Sequence, residues 1–271
     1  MTASAGAGSG RAFAVLLLRD VRVLRRNGVQ FVIRTLMQPL MFTFVFAYVF
    51  PKIGQGIGGP RGGVTFSTVL VPGLIAVAIF FQGIQAVALP LVQEFSYTKE
   101  IEDRVLAPMP VWLVGLGKVV SGALQAVLAA LIVFPIVRFV HAAGQAPHVH
   151  IANYAEFVVA LLLASFMGAA VGLLVGTAVA PQQVPLIFSI IVLPATLLGC
   201  IYYPWATLTP IHWLKVGVLA NPLVYMSEAM RAVLTPDVPH MPIAVSVLSM
   251  AAISAVLLLA SLRAFHRRVV A

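Results

Sequence analysis

Charged side chains are rare in this chain, and their densest cluster lies in one short stretch, Gln93 to Lys118. Apart from Lys118 at its end, its charged residues are Glu94, Lys99, Glu100, Glu102, Asp103 and Arg104, and the first proline that interrupts it is Pro108. Residues 64–93 before it and 119–137 after it carry no charge. Acidic residues concentrated in one loop between long apolar segments favour contact with a partner protein. We therefore expect this loop to be a docking surface.

A second candidate is the pair Glu228 and Arg231, three residues apart in the segment Asn221 to Leu234. This spacing places both side chains on one face of a helix, where they can pair. A carboxylate on an apolar, membrane-apposed helix is costly unless it is paired or hydrated, so we expect a functional role for Glu228. The alternative is a solvent-exposed pair, which contributes about 0–1 kcal/mol.

Common catalytic motifs are absent. No Gly-x4-Gly-Lys-Ser/Thr phosphate loop occurs, because Gly115-Leu116-Gly117-Lys118 lacks both the first glycine and the final hydroxyl. The six histidines show no HExxH spacing, and the single cysteine excludes an internal disulfide and a cysteine-rich metal site. We expect no catalytic residue, no metal and no cofactor bound by this chain.

Composition indicates a membrane protein made of helices. The chain has 271 residues, of which 61% are hydrophobic and 9% are charged, whereas a soluble domain has roughly 25% charged residues. The net charge of +9 fits basic residues that flank membrane spans, so we expect no nucleic-acid partner. We expect one all-α transmembrane domain over residues 1–271.

Six apolar segments are long enough to cross a bilayer, which takes about 20 residues. They are Val29–Phe50, Thr65–Gln93, Val111–Phe139, Tyr154–Val179, Leu186–Tyr203 and Met241–Leu262. Together they form a bundle over residues 28–262. The last residues, 263–271, are expected to be a cytoplasmic tail.

The N-terminal region divides into two parts. Residues 1–10 are small and flexible, which is typical of a disordered tail. Residues 11–27 alternate apolar and basic side chains at helical spacing, with Arg19, Arg22, Arg25 and Arg26 away from the apolar face. The apolar part is too short to span, so we predict an amphipathic helix at the membrane surface. A plain basic flank of the first span is the alternative.

The segment between the fifth and sixth spans is long but apolar. Thr209-Pro210 and Asn221-Pro222 each place an N-cap residue before a proline at the first helical position. We predict two short helices, about Pro210–Ala220 and Pro222–Leu234, in an extracellular re-entrant hairpin. Asn221, Pro222, Tyr225, Glu228 and Arg231 are the residues expected in an outer gate.

Orientation follows from the basic residues. Most of the seventeen Lys and Arg residues fall on the side that holds both termini and the charged loop. The positive-inside rule places that side in the cytoplasm of a multi-pass plasma (inner) membrane protein.

Small residues recur every four positions in the fourth span, at Gly168, Gly172 and Gly176 among others. Such a stripe lets a second helix approach closely. We favour a helix of the same chain as its partner, with a helix of a second copy as the alternative.

These features together resemble the membrane subunits of type-2 ATP-binding-cassette (ABC) exporters. The resemblance rests on a basic helix before the first span, Pro39 early in that span, the loop Glu100 to Pro110, and the segment Asn221 to Leu234. The family's common Gly-Thr in the loop is replaced by Tyr97-Thr98-Lys99.

The resemblance implies a transport permease without its own ATPase site. Two cytoplasmic ATPase subunits would hydrolyse ATP with Mg²⁺, and the charged loop would contain the coupling helix that docks on them. A second copy of this permease or a homologous one would complete the path. The uncharged spans suit a hydrophobic or amphiphilic cargo, such as a drug or a lipid, in multidrug efflux or related export.

Three alternatives remain. One is a permease for polysaccharide or lipid-linked glycan export. An ion-coupled transporter would need intramembrane carboxylates and an inverted repeat. A membrane-embedded enzyme would need clustered His, Asp or Glu at membrane depth, and no such cluster stands out in the sequence.

Overall fold

The computed structural model describes residues 2–53, 65–95, 110–141, 146–179, 183, 186 and 188–270, and these residues form helices and turns without strands. The α-helices are α1 (Thr2–Arg26), α2 (Gly28–Thr43), α3 (Phe50–Lys52), α4 (Phe66–Gln93), α5 (Val111–Phe139), α6 (Tyr154–Ala178), α7 (Leu193–Leu197), α8 (His212–Gly217), α9 (Pro222–Leu234) and α10 (Ile243–Val270). A π-helical segment, Phe44–Val49, joins α2 to α3, and another, Phe188–Val192, precedes α7.

Within the described residues, five helical segments are long and apolar enough to cross a membrane. They are Gly28–Val49, Phe66–Gln93, Val111–Ile136, Tyr154–Ala178 and Ile243–Val269. Each corresponds to a span predicted from the sequence. The chain is thus a helical protein with several candidate membrane spans.

The predicted fifth span, Leu186–Tyr203, is not confirmed. Its continuously described helical part runs from Phe188 to Leu197 and is followed by a turn through Tyr203. Ten helical residues cover about 15 Å, half of a bilayer core of about 30 Å. The helix ends at Leu197, six residues earlier than expected, and the chain continues into a turn that is held by side chains of α9, as shown below.

Two helices extend beyond their predicted limits. α1 begins at Thr2, within the residues for which the sequence predicts a flexible tail. α10 continues through Val270, within the predicted cytoplasmic tail 263–271. In the hairpin region, α8 begins at His212, two residues after the predicted Pro210, and α9 has the predicted bounds.

α4 forms the centre of the bundle and has the largest buried share of the five candidate spans. α5, α6, α9 and α2 pack around it. Its start is capped by the side chain of Thr65, whose hydroxyl accepts from the backbone N–H of Thr68. α2 and α10 are the least buried of the five, and their exposed apolar side chains suit a lipid environment.

A seam of glycines joins α4 to α6 at backbone contact distance. A Cβ placed on Gly172 would lie 2.9 Å from the carbonyl oxygen of Gly83, and one on Gly176 would lie 3.0 Å from the Cα of Ala88. A Cβ on Gly168 would lie 3.3 Å from the Cα of Phe80. The small-residue stripe therefore packs against a helix of the same chain, where dispersion contacts hold closely packed backbones together.

Replacing Gly172 with alanine tests this seam. The added methyl has no space between two backbones, so we expect Gly172→Ala to destabilise the protein by about 1–3 kcal/mol. The measurement is the midpoint of thermal unfolding in detergent. Gly28→Ala is the control, because a Cβ at Gly28 meets nothing within 4 Å. Equal midpoints for the two variants would contradict the tight contact.

Candidate functional site

Glu228 and Arg231 form a buried ion pair on α9. The Nη1 group of Arg231 donates to Oε1 of Glu228, and both side chains are 0% exposed. The pairing follows the helical spacing predicted from the sequence. The alternative of a solvent-exposed pair is wrong, because the apolar residues of α4, α9 and α10 enclose this region.

The carboxylate of Glu228 holds two other chain segments. Its Oε1 accepts from the backbone N–H of Trp205 at 2.9 Å, and its Oε2 accepts from that of Met241 at 2.8 Å. Trp205 begins the short 3₁₀ helix before α8, and Met241 precedes α10. A buried carboxylate is tolerated when its remaining lone pairs are satisfied in this way. Glu228 thus fixes three parts of the chain to one another.

The cap of α9 and two of its side chains bind carbonyl groups of α7 and of the turn that follows it. Asn221 Nδ2 donates to Ala195 O at 2.7 Å, Ser227 Oγ to Gly199 O at 2.6 Å, and Arg231 Nη2 to Cys200 O at 2.9 Å. The last carbonyl groups of a helix lack partners within the helix. Asn221 supplies one to α7, and Ser227 and Arg231 hold the turn in which the chain leaves the helix.

The turn after α7 is also packed against α4. A Cβ placed on Gly73 would lie 2.3 Å from Ile201 O, so only glycine fits at this point of α4. Cys200 has a φ of 52°, a left-handed conformation that is uncommon outside glycine. Backbone strain of this kind persists only where surrounding contacts enforce it.

Aromatic side chains connect this turn to the first span. The ring of Tyr202 lies 5.0 Å from that of Phe46 and 6.1 Å from that of Phe42. Phe46 belongs to the π-helical segment after α2. Tyr225, on α9, donates its hydroxyl to Leu219 O at 3.0 Å across the corner between α8 and α9. We call α7, α8, α9 and their connecting turns the outer segment.

The opposite end of the bundle carries the basic residues, and we call it the basic end. There, Lys118 at the start of α5 pairs with Glu94 at the end of α4, and both side chains are nearly buried. Arg268 of α10 donates to Thr177 O in the last turn of α6, and its guanidinium lies 4.6 Å from the ring centre of Phe95. The other residues predicted for the charged loop lie outside the described residues: Lys99, Glu100, Glu102, Asp103, Arg104 and Pro108.

α1 lies along the basic end with its arginines outward. Arg19, Arg22, Arg25 and Arg26 are exposed. On another side of the helix, the ring of Phe13 packs against Gly117 of α5. A Cβ added to Gly117 would lie 3.4 Å from the Cε2 atom of Phe13. The helix is therefore attached to the bundle by apolar contact and presents its positive charges to the surroundings.

A cavity of about 400 Å³ opens between α1, α2, α4 and α5 at the basic end. Sequence reasoning did not identify it. Its polar lining residues are Asp20, Asn27, Gln30, Gln85, Gln93 and Gln125, and Val23, Leu24, Phe31 and Leu89 are among its apolar ones. The individual glutamines carry no motif, and only the fold brings them together from three helices.

No metal site is formed within the described ranges, where no three His, Cys, Asp or Glu residues come together. His148 and His150, from the loop before α6, are exposed. The backbone N–H of His150 donates to Leu234 O at 3.0 Å, which attaches that loop to the end of α9.

A family model described as ABC-2 type transporter matches residues 11–235. The chain belongs to the ABC-2 type transporter family. The match includes α1, the first four candidate spans and the whole outer segment, but not α10. No curated protein was found to match the chain.

Family membership identifies the chain as the membrane (permease) component of an ABC transporter. Such a permease is a transport membrane subunit that partners with an ABC ATPase subunit. The buried ion pair and its partners therefore belong to a permease. In this ABC-2 permease, Ser227, Trp205 and Met241 also hold the outer segment in place through the hydrogen bonds described above. No motif in the sequence marks these three residues.

Replacing Glu228 with alanine is expected to destabilise the permease. The change leaves Arg231 as an uncompensated buried charge and removes the acceptor of two backbone N–H groups, which costs about 3–5 kcal/mol. Glu228→Gln keeps the shape and an acceptor oxygen, so its effect should be smaller. The thermal midpoint in detergent, measured together with expression level, reports the loss.

Glu156→Ala is the matched control, because that carboxylate is exposed in the first turn of α6. If Glu228→Ala unfolds at the same temperature as Glu156→Ala, the pair does not hold the outer segment.

Proposed function

We propose that this permease forms the translocation path of an ATP-driven exporter in the plasma membrane. Membership of the ABC-2 family is the observation that carries the proposal. The cargo is hydrophobic or amphiphilic, since the candidate spans present apolar surfaces. Both termini and the basic end face the cytoplasm, in agreement with the positive-inside rule.

The loop between α4 and α5 receives the movement of the ATPase. Its base is held by the ion pair between Glu94 and Lys118, which connects the ends of the two helices that enter and leave the loop. A loop attached in this way transmits a displacement to both helices at once. ATP and Mg²⁺ bind to two ATPase subunits, and a second permease copy or a homologous permease completes the transporter.

The outer segment acts as the extracellular gate of the path. Asn221, Pro222, Tyr225, Glu228 and Arg231 set its position, and Tyr202 joins it to the first span through Phe42 and Phe46. α8 and α9 form a re-entrant hairpin in the outer leaflet. α1 is an amphipathic helix on the cytoplasmic membrane surface, where its arginines meet anionic lipid.

A glycan or lipid-linked glycan is a second candidate cargo. The polar cavity at the basic end favours it, because uncharged amide side chains form hydrogen bonds with hydroxyl groups.

Charge reversal in the loop tests ATPase docking. We expect Glu100→Lys, Glu102→Lys and Asp103→Lys together to abolish co-purification of the ATPase with the permease, or to uncouple ATP hydrolysis from export. The reason is that like charges facing each other across an interface cost several kcal/mol. Pull-down and ATP-dependent export in inverted vesicles are the measurements.

The control carries Glu156→Lys and Asp237→Lys, two exposed carboxylates outside the charged loop. Normal assembly and normal export by the triple variant would refute the docking role.

Loss of the Tyr225 hydroxyl tests the gate. Tyr225→Phe removes one hydrogen bond at the corner of α8 and α9, a change of about 0.5–1.5 kcal/mol. We expect the folded complex to hydrolyse ATP while the export rate changes about threefold or more. Tyr154→Phe is the control, because Tyr154 is 73% exposed and lies outside this segment. An unchanged export rate in Tyr225→Phe would exclude the corner from gating.

A further inference from the structure

The cavity at the basic end has a lining suited to a specific class of ligand. Of its lining residues in the described part of the chain, five carry carboxamides (Asn27, Gln30, Gln85, Gln93 and Gln125), one carries a carboxylate (Asp20), and none is a lysine or an arginine. A carboxamide offers two donors and an acceptor without net charge. The volume of about 400 Å³ lies within the roughly 300–1,000 Å³ typical of ligand sites.

The lining disfavours a charged ligand of either sign. A phosphate or sulfate group finds no described cation inside the cavity and would lie beside the carboxylate of Asp20. A cationic group is disfavoured by the exposed Arg22, Arg25 and Arg26 of α1, which carry like charge on the helix that forms one wall of the cavity. Hydroxyl groups form hydrogen bonds with amides and with a carboxylate alike, so a neutral polyhydroxylated group fits best.

A second observation lies at the inner end of the cavity. Gln85 also lines a small space of about 20 Å³ between α2 and α4, together with Thr35 and Gln82. Gln82 is 4% exposed; its Oε1 accepts from Thr35 Oγ1 at 3.2 Å, and its Nε2 group has no hydrogen-bond partner. A buried amide donor without a partner is costly and therefore marks a place where a polar ligand or water binds.

The surroundings of the cavity suit an attached apolar tail. Val23, Leu24, Phe31 and Leu89 form part of the wall. Val29 and Ile33 on α2 are 76% and 56% exposed, so the adjoining surface of the first span is apolar and open to lipid. A molecule with one polar head and a long tail can place the head among the amides while the tail stays in the bilayer.

We propose that this cavity is an intake site for the neutral, hydroxyl-rich head group, such as a sugar, of an amphiphile in the inner leaflet. The proposal rests on the proposed export function and names the cargo class. Gln85 lies between the outer cavity and the buried Gln82, and is the central binding residue. Export moves the head group from this cavity along α2 and α4 toward the outer segment.

Photolabelling of the full-length permease together with its ATPase, in phosphatidylcholine nanodiscs, tests the site. The probe is a glucosyl-diacylglycerol with a photoreactive group on the sugar. We expect labelled peptides from residues 20–31 and 82–93, and displacement by unlabelled glucosyl-diacylglycerol. Phosphatidylglycerol and a trimethylammonium lipid with the same acyl chains should displace the probe at least tenfold less well.

Variants identify the residues responsible. Gln85→Leu should weaken labelling about three- to tenfold, the effect of losing one or two hydrogen bonds. Gln30→Leu, an exposed position at the cavity mouth, is a second variant in case Gln85→Leu misfolds. Gln183→Leu is the matched control, because Gln183 is exposed and does not line the cavity.

Each result decides the proposal. Equal displacement by the charged lipids, or full labelling of both cavity variants, would overturn it. The ATPase rate of the same nanodiscs separates this failure from that of the export function. Export with a normal ATPase rate but no labelling rejects only the cavity, whereas a complex that neither assembles nor hydrolyses ATP rejects the exporter.

Discussion

The buried ion pair of Glu228 and Arg231 is the interaction on which the outer segment depends. Two charges taken out of water are stabilised by hydrogen bonds to their remaining donors and acceptors, and of the pair's polar atoms only Nε of Arg231 has no such partner. Trp205, Met241 and Cys200 supply partners through their backbone groups. α7 and α8 are too short to be stable alone. The turn after α7 and the 3₁₀ helix before α8 are held by the pair directly, because their backbone groups bind it.

A different constraint governs the remainder of the bundle. The glycine seam between α4 and α6 excludes side chains from the contact, so neither helix can shift without a clash between backbones. α2 has no such seam: it contains Pro39 and continues into a π-helical segment, two features that bend helices. In the most apolar stretch of the first span, 25% is buried inside the protein, whereas in that of α4 the buried share is 72%. We therefore regard α4 and α6 as the rigid unit and α2 as the element that adjusts.

Several features could be predicted because their causes are local. Five spans follow from apolar runs of sufficient length, and the start of α9 follows from Asn221 before Pro222, where the Asn221 side chain accepts from the N–H of Leu223. The end of α7 and the turn after it could not be predicted, because their carbonyl groups are bound by residues that follow 26 to 31 positions later. Burial of the ion pair depends on the same long-range packing. The glutamine cavity needs three helices in register, and no single helix shows it.

α2, like α4, contacts both the cavity at the basic end and the turn after α7. At the basic end, Gln30 and Phe31 line the cavity, and half-way along, Thr35 donates to Gln82. Further along, Phe42 and Phe46 pack on Tyr202 at the turn held by Arg231. Pro39 lies between these contacts and removes one backbone hydrogen bond from the helix. A bend at Pro39 therefore changes the spacing at Gln82 and at Tyr202 together. With α4 and α6 as the rigid unit, such a bend would couple the cavity at the basic end to the outer segment, which is the physical route that the proposed intake site and the proposed gate require.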